Sequence, residues 1–321
     1  MMERFGSQSR SRGGPPVAKP YVLVPLTPGD PRRGRPTGHQ QYRENLWTGT
    51  LEGTITARSP VHIASGQIEL TDKRPSLVKA HFRRNGRLTL PGSSLKGAIR
   101  SIVEAISHPP SCLRTTRARG HEQPQQLRAC NRQESLCIAC HMFGAMGYLG
   151  QVYFHDAVIE AGESIIITTP SLFRPRERER TYFTDGRVKG RKFYRHGELA
   201  GGNVPLEVCP VGTRFRLHIA FENLSEAQLG LLLIALGQGA TQFHPKLGGA
   251  KPACCGSVEI QPTGLQAMAA HAGALEYDVV MQPLDWAALT QTATLVNQEA
   301  LNQLAQVLRY PGTTACPGGS Y

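Results

Sequence analysis

Cys137 and Cys140 stand at the C-x-x-C spacing that lets two thiolates reach one tetrahedral ion. Cys112 and Cys130 precede them and can close a zinc site, in a segment, 108–136, that holds almost no apolar residues and gains order from a metal staple. Four protein ligands leave no open coordination position, so such a Zn²⁺ is structural rather than catalytic. His121 is the alternative fourth ligand, in place of Cys112, and four free thiols are the alternative to any metal. Cys254 and Cys255 are adjacent, a poor chelating geometry, and read as packing residues.

Phosphate chemistry is suggested at two other places. In PGSSLKGAIR, residues 91–100, Ser93 and Ser94 open a helix. Their hydroxyls, the backbone N–H groups, the positive helix end, Lys96 and Arg100 all suit a phosphate oxygen. The spacing is not that of a Walker A loop, and an ordinary capped helix is the competing reading. In LGGAKPACCGSVEI, Gly248, Gly249 and Lys251 form a loop whose backbone can approach a ligand closely, or a plain turn. A third stretch, 173–197, interleaves Arg and Lys with Phe and Tyr. Arg187, Lys189, Arg191, Lys192 and Tyr194 there suit phosphates and stacked bases, against a solvated charged loop as the bland reading.

These residues need elements to hold them. LEGTITARSPVHI and GRLTLPG read as strands, and SSLKGAIRSIVEAIS as a helix with Leu95, Ile99, Ile102, Val103 and Ile106 on one stripe, capped by Ser93 or Ser94. GQVYFHDAVIEA, SIIITT and RFRLHIAFEN read as strands, the last with Phe215, Leu217, Ile219 and Phe221 on one face. SEAQLGLLLIALGQG opens with a capping-box pattern, Ser225 to Gln228, and is expected to bury Leu229, Leu232, Leu233 and Leu236. GSVEIQP is a last strand, and a single appended helix is expected over LTQTATLVNQEALNQLAQVLRY. The order is strand, helix, strand, strand, helix, strand, which predicts an α+β fold of the ferredoxin-like, RRM-like βαββαβ type.

The chain has 321 residues and a formal charge of +12, with no apolar run near the roughly 18 residues that span a bilayer. The excess charge points to a polyanionic partner, nucleic acid first. MMERFGSQSRSRGGPPVAKP lacks the apolar core of a secretory signal, so the protein reads as cytoplasmic, where thiols and metal ligands are expected before disulfides.

PGSSLKGAIRSIVEAIS, then CxxC-x-MFG followed by GQVYFHDA, then GRKFYRHG, then LGGAKPACCGSV resemble the RAMP superfamily, the Cas7-like backbone subunits of type III CRISPR effector complexes. The opening YVLVPLTP and GTITARSPVHI resemble the type III-D branch. The resemblance covers about 21–262. It implies a RAMP/RRM-like palm over 21–262 and leaves outside it two segments read from their own residues, a basic flexible tail over 1–20 and a C-terminal helical extension over 263–321. The palm carries two insertions, a zinc-binding segment at 108–148 and a thumb-like hairpin region at 170–205. It also implies subunits stacked along a guide crRNA beside other effector subunits, and a target RNA cut by an aspartate between the first strand and PGSSLKG. That interval holds a single Asp, Asp72, flanked by Lys73 and Arg74, with Glu69 a weaker substitute. A carboxylate among cations can act on a 2′-hydroxyl or hold Mg²⁺ or Mn²⁺. One departure is that the family's loop usually closes G-x-G, where this chain has Ala253-Cys254-Cys255-Gly256. The competing readings are a non-catalytic architectural subunit and a stand-alone RNA-processing ribonuclease using His121, His141, His155 and His196.

Overall fold

The computed structural model describes residues 20–43, 45–71, 76–113, 125–172, 182–184, 187–269 and 281–317. Strand Trp47–Ala57 buries Gly49, Leu51, Gly53, Ile55 and Ala57 and turns its threonines and Glu52 the other way, the period-two pattern of a one-sided sheet. Strand Arg214–Leu224 repeats the pattern with Phe215, Leu217, Ile219 and Phe221, all buried. The two run antiparallel, Arg214 opposite Thr56 and Phe221 opposite Gly49. Val258–Ala269 pairs along the far side of Trp47–Ala57, and Ala157–Ala161 with Val152–Phe154 along the far side of Arg214–Leu224. Across the sheet the long strands therefore run 258–269, 47–57, 214–224, 157–161, with Arg87–Leu90 beyond the last. Helices Gly92–Ile106 and Glu226–Ala235 contribute Leu95, Ile99, Val103, Leu229 and Leu232 to one core with the buried face of this sheet. The fold is mixed α+β.

The capping box forms as its sequence predicts: the Ser225 hydroxyl accepts from Gln228 N–H, and the Gln228 side chain accepts from Ser225 N–H. The helix it starts is buried beyond the expected stripe, Leu231 and Ile234 included. The C-terminal region explains this, because helix Trp286–Gln291 lies on its outer side. There a Cβ on Gly230 would meet Leu289 O at 2.3 Å. The single appended helix is in fact two, Trp286–Gln291 and Gln298–Val307, each with its own N-cap, Asp285 and Asn297. The break is fixed by tertiary bonds to the end of helix Gly92–Ile106: His108 N–H to Leu295 O and Asn297 N–H to Ile106 O.

A second sheet orders Ala64–Leu70, Leu77–His81, Val204–Val208 and Ile165–Thr169. The described part of 170–205 is divided among partners. Gly190–Tyr194 pairs antiparallel with Tyr21–Pro25, Gly197–Glu198 pairs parallel with Thr314–Ala315, and Val204–Val208 joins the second sheet. The N-terminal run 31–43 wraps the cysteine segment through Gly34–Leu136 and Arg33–Arg128 bonds. Cys254 corrects its reading as a packing residue. It is bridged to Cys316, because the Thr314–Ala315 strand brings the C-terminal end beside the 248–256 loop. Cys255 stays a buried thiol, its pKa pushed up by burial to about 11. Among the described residues no helix is long and apolar enough to cross a membrane.

Candidate functional site

Two loops that stand far apart in the chain meet at one groove. Ser94, Gly97, Ala98 and Ser101 from the outer face of helix Gly92–Ile106, Ile63 and Ala64, and Gly248, Gly249 and Lys251 line a cavity of about 400 Å³. The loop needs glycine at 248: φ is +74°, and a Cβ there would stand 2.1 Å from His62 O. Gly249 N–H donates to that same carbonyl at 2.8 Å, and Gly256 N–H to Pro60 O, so the loop is tied at both ends to the turn after Trp47–Ala57. Between those ties Ala250 and Cys254 adopt left-handed backbone around a 3₁₀ turn, Lys251–Ala253. This is the path that Ala253-Cys254-Cys255-Gly256 takes.

Lys251 has no carboxylate within ion-pair distance among the described residues, and burial pulls its pKa below the usual lysine value. A partly desolvated ammonium at the rim of a cavity, beside two hydroxyls and small residues that expose backbone, is complementary to a phosphate oxygen.

The helix start is arranged differently from its sequence expectation. Neither Ser93 nor Ser94 caps it; the N-cap is Pro91, without a side-chain bond. Instead Asp156 accepts from Gly92 N–H at 2.8 Å and pairs with Arg84. Gly92 N–H and then Arg84 hold the Asp156 carboxyl below its usual range. The first N–H of the helix is thus taken, and the groove lies along the next turns. Ser93 is exposed outside the groove lining, and Lys96 is half-buried on the helix. Asp156 went unread in the sequence; its only signal was the polar pair His155-Asp156 before a strand.

Arg100 and Arg191, expected at RNA, point inward. Arg100 donates to Glu104 at 2.7 Å, to Gly144 O at 2.6 Å and to Cys140 Sγ at 3.2 Å. Arg191 donates to Glu104 at 2.6 Å and to Cys112 O at 3.0 Å. Both guanidinium groups are buried in this network, which removes them from the groove. Lys192 projects from the other side of the same strand and sits 4.1 Å from the Tyr21 ring centroid and 4.9 Å from that of Tyr194, with Tyr182 also close. Lys189 is exposed, and Arg187 contributes backbone pairing to Thr184. Asp72, with Lys73 and Arg74, lies outside the described residues, as do His121 and 173–181.

The four cysteines come together as their spacing predicts. The sulfurs of Cys112, Cys130, Cys137 and Cys140 all lie within 4.8 Å of one another and are buried. Four thiolates at about 2.3 Å from a tetrahedral zinc stand about 3.8 Å apart, so the cluster is the right size for a metal such as zinc. Cys137 is the N-cap of helix Ile138–Phe143, and Cys140 lies within it. Two backbone donors already face sulfur: Cys112 N–H to Cys137 Sγ and Cys137 N–H to Cys130 Sγ. His141 turns away to Thr37 and Gln228, its pKa lowered by burial to about 4.

Among the described residues, His141, His155 and His196 do not share a site. His196 is buried against Ser257 and Leu308 O, while His155 touches His218, whose ring meets Glu52 on the open face of the main sheet.

The sheet and its two core helices define a mixed α+β protein with a groove of about 400 Å³ between the first helix and the 248–251 loop. The RAMP superfamily matches residues 54–259, and the chain belongs to that superfamily, whose members are CRISPR-associated RNA-binding subunits. No curated protein matches the chain.

Proposed function

We propose that the chain is a guide-binding backbone subunit of a type III CRISPR surveillance complex, of the type III-D branch, with crRNA along the groove and target RNA paired to it. The strand order 258–269, 47–57, 214–224, 157–161, with helices after the first and third strands in chain order, supports a ferredoxin-like palm. The observation that carries the reading is the meeting of Ser94 and Ser101 with Gly248, Gly249 and Lys251 around one cavity. In this reading the groove holds RNA backbone, and base pairing rather than the protein selects sequence. Ser93 and Lys96 extend the contact along the helix, Lys189 adds an exposed cation elsewhere on the surface, and Lys192 with Tyr194 offers a second, aromatic contact. The cysteine centre is a structural Zn²⁺ site: the ion, when bound, supplies only cross-linking, and Cys112, Cys130, Cys137 and Cys140 hold it. Asp72 is the carboxylate that cuts paired target RNA, with Mg²⁺ or Mn²⁺.

Purification of the protein in mild salt and sequencing of the copurifying nucleic acid tests the reading. Discrete short RNAs with one constant end and varied interiors are expected. No RNA, or a random sample of cellular RNA, overturns it. Asp72→Ala in the assembled complex is expected to abolish target cutting with guide content unchanged; undiminished cutting assigns catalysis elsewhere.

A further inference from the structure

Helix Gly92–Ile106 places Arg100 and Glu104 one turn apart on the flank that meets the cysteine centre. Glu104 is shared: one carboxylate oxygen takes Arg100 Nε at 2.7 Å and the other takes Arg191 Nη1 at 2.6 Å. Each guanidinium then reaches a cysteine ligand residue, Arg100 at Cys140 Sγ (3.2 Å) and Arg191 at Cys112 O (3.0 Å). Side-chain exposure is 8 % for Arg100, 6 % for Glu104 and 14 % for Arg191. Two buried cations facing one buried anion leave a positive surplus where desolvation makes it expensive. Neutral thiols do nothing for that surplus. Four thiolates around a divalent ion carry net negative charge and match it, and N–H donors to ligating sulfur are what outer-shell groups supply.

We infer that Arg100, Glu104 and Arg191 are positioning residues of the cysteine centre, and that through them metal occupancy holds the Gly190–Tyr194 strand on helix Gly92–Ile106. Arg191 faces inward from that strand, as does Phe193, which packs on the core together with Val22 and Val24 of the hydrogen-bonded partner strand Tyr21–Pro25. Lys192, beside Arg191, and the Tyr21, Tyr182 and Tyr194 rings around it form the outward face. Metal loss therefore releases an aromatic and basic surface that no metal ligand touches. This rests on the reading of the four cysteines as a metal site.

The test uses the full chain loaded with Zn²⁺, and separately with Co²⁺, as wild type and as Arg100→Met, Arg100→Lys and Glu104→Gln. Metal content, the sulfur-to-cobalt charge-transfer band, metal transfer to a coloured chelator and amide exchange are read. In Arg100→Met the charge-transfer band is expected to move to lower energy, as the thiolate loses a donor, and metal affinity to fall about 10-fold or more, the usual size of an outer-shell loss. Arg100→Lys is expected to recover part of both. Stripping metal from wild type is expected to raise exchange at 21–25 and 190–194 at least about 10-fold, while 214–224 stays protected and certifies that the fold persists. A metal-loaded Arg100→Met or Glu104→Gln protein with an unmoved band and wild-type transfer overturns the inference. So does a strand 190–194 whose exchange ignores metal removal. Wild type that takes up neither ion removes the metal reading itself, and the inference with it.

Discussion

The groove and the cysteine centre are built from the same helix and treat polar groups in opposite ways. On its outer face Ser94, Gly97 and Ser101 stand at an open cavity, opposite a Lys251 that no carboxylate pairs with among the described residues. On its inner flank Arg100 and Glu104 have partners on every side. The inner site closes most of its hydrogen bonds within the chain, because an unmet buried group is destabilising; Arg191 Nε is the donor it leaves without a partner. On the outer face the Ser101 hydroxyl is met by Gly97 O, whereas the Lys251 ammonium has no anion among the described residues and a ligand can supply one. One helix, whose Leu95, Ile99 and Val103 anchor it in the core, supports both.

If the contrast holds, the inner site should respond in stability and the outer one in binding. Cys137→Ser is expected to have the largest effect, a loss of at least about 3 kcal/mol in urea unfolding together with loss of bound metal, since metal loss belongs among the most severe single-site changes. Gly248→Ala is next: a Cβ 2.1 Å from His62 O at φ +74° should cost roughly 1–3 kcal/mol by thermal unfolding and displace the groove wall, weakening RNA further than stability.

The pH response sharpens the inner half of the comparison. Burial first of all lowers His81, His141 and His196 to about 4 from 6.5, so each is neutral when folded. Their contribution is present above pH 6.5 and is lost as pH falls from there toward 4, up to about 3 kcal/mol for each. Denaturant midpoints between pH 8 and 4 measure it, and a flat profile breaks the picture of closed, dry interior sites. The smallest effect belongs to Lys251 in the groove. Lys251→Gln is expected to leave unfolding unchanged and to weaken single-stranded RNA about tenfold, about 1.4 kcal/mol, with the salt slope reduced by about 0.7. Equal RNA affinity across a salt series would move the phosphate contact away from Lys251.

Periodicity and spacing made much of this legible. Alternation in RFRLHIAFEN, the Ser225–Gln228 box and the C-x-x-C spacing are local signals, and each forms as written. The two loops that line the groove were also legible, while the contact between them depends on sheet pairing over some 150 residues of chain. Arg100 and Arg191 were misread because composition marks a basic residue as outward, whereas the Arg100–Glu104 spacing of one helical turn was the hint of an inward pair. Asp156 as the partner of the helix start, the break between the C-terminal helices, and the pairing of Cys254 with Cys316 all arise from contacts between distant segments. No local pattern encodes them.

The bridge between Cys254 and Cys316 also changes what the chain is as a covalent object. With 62 positions separating its ends, it turns strand Val258–Ala269, both C-terminal helices and the terminal strand into one closed ring hung on the 248–256 loop. A single protease cut anywhere inside that ring leaves two fragments that travel together on a denaturing gel and part only when a reductant is added.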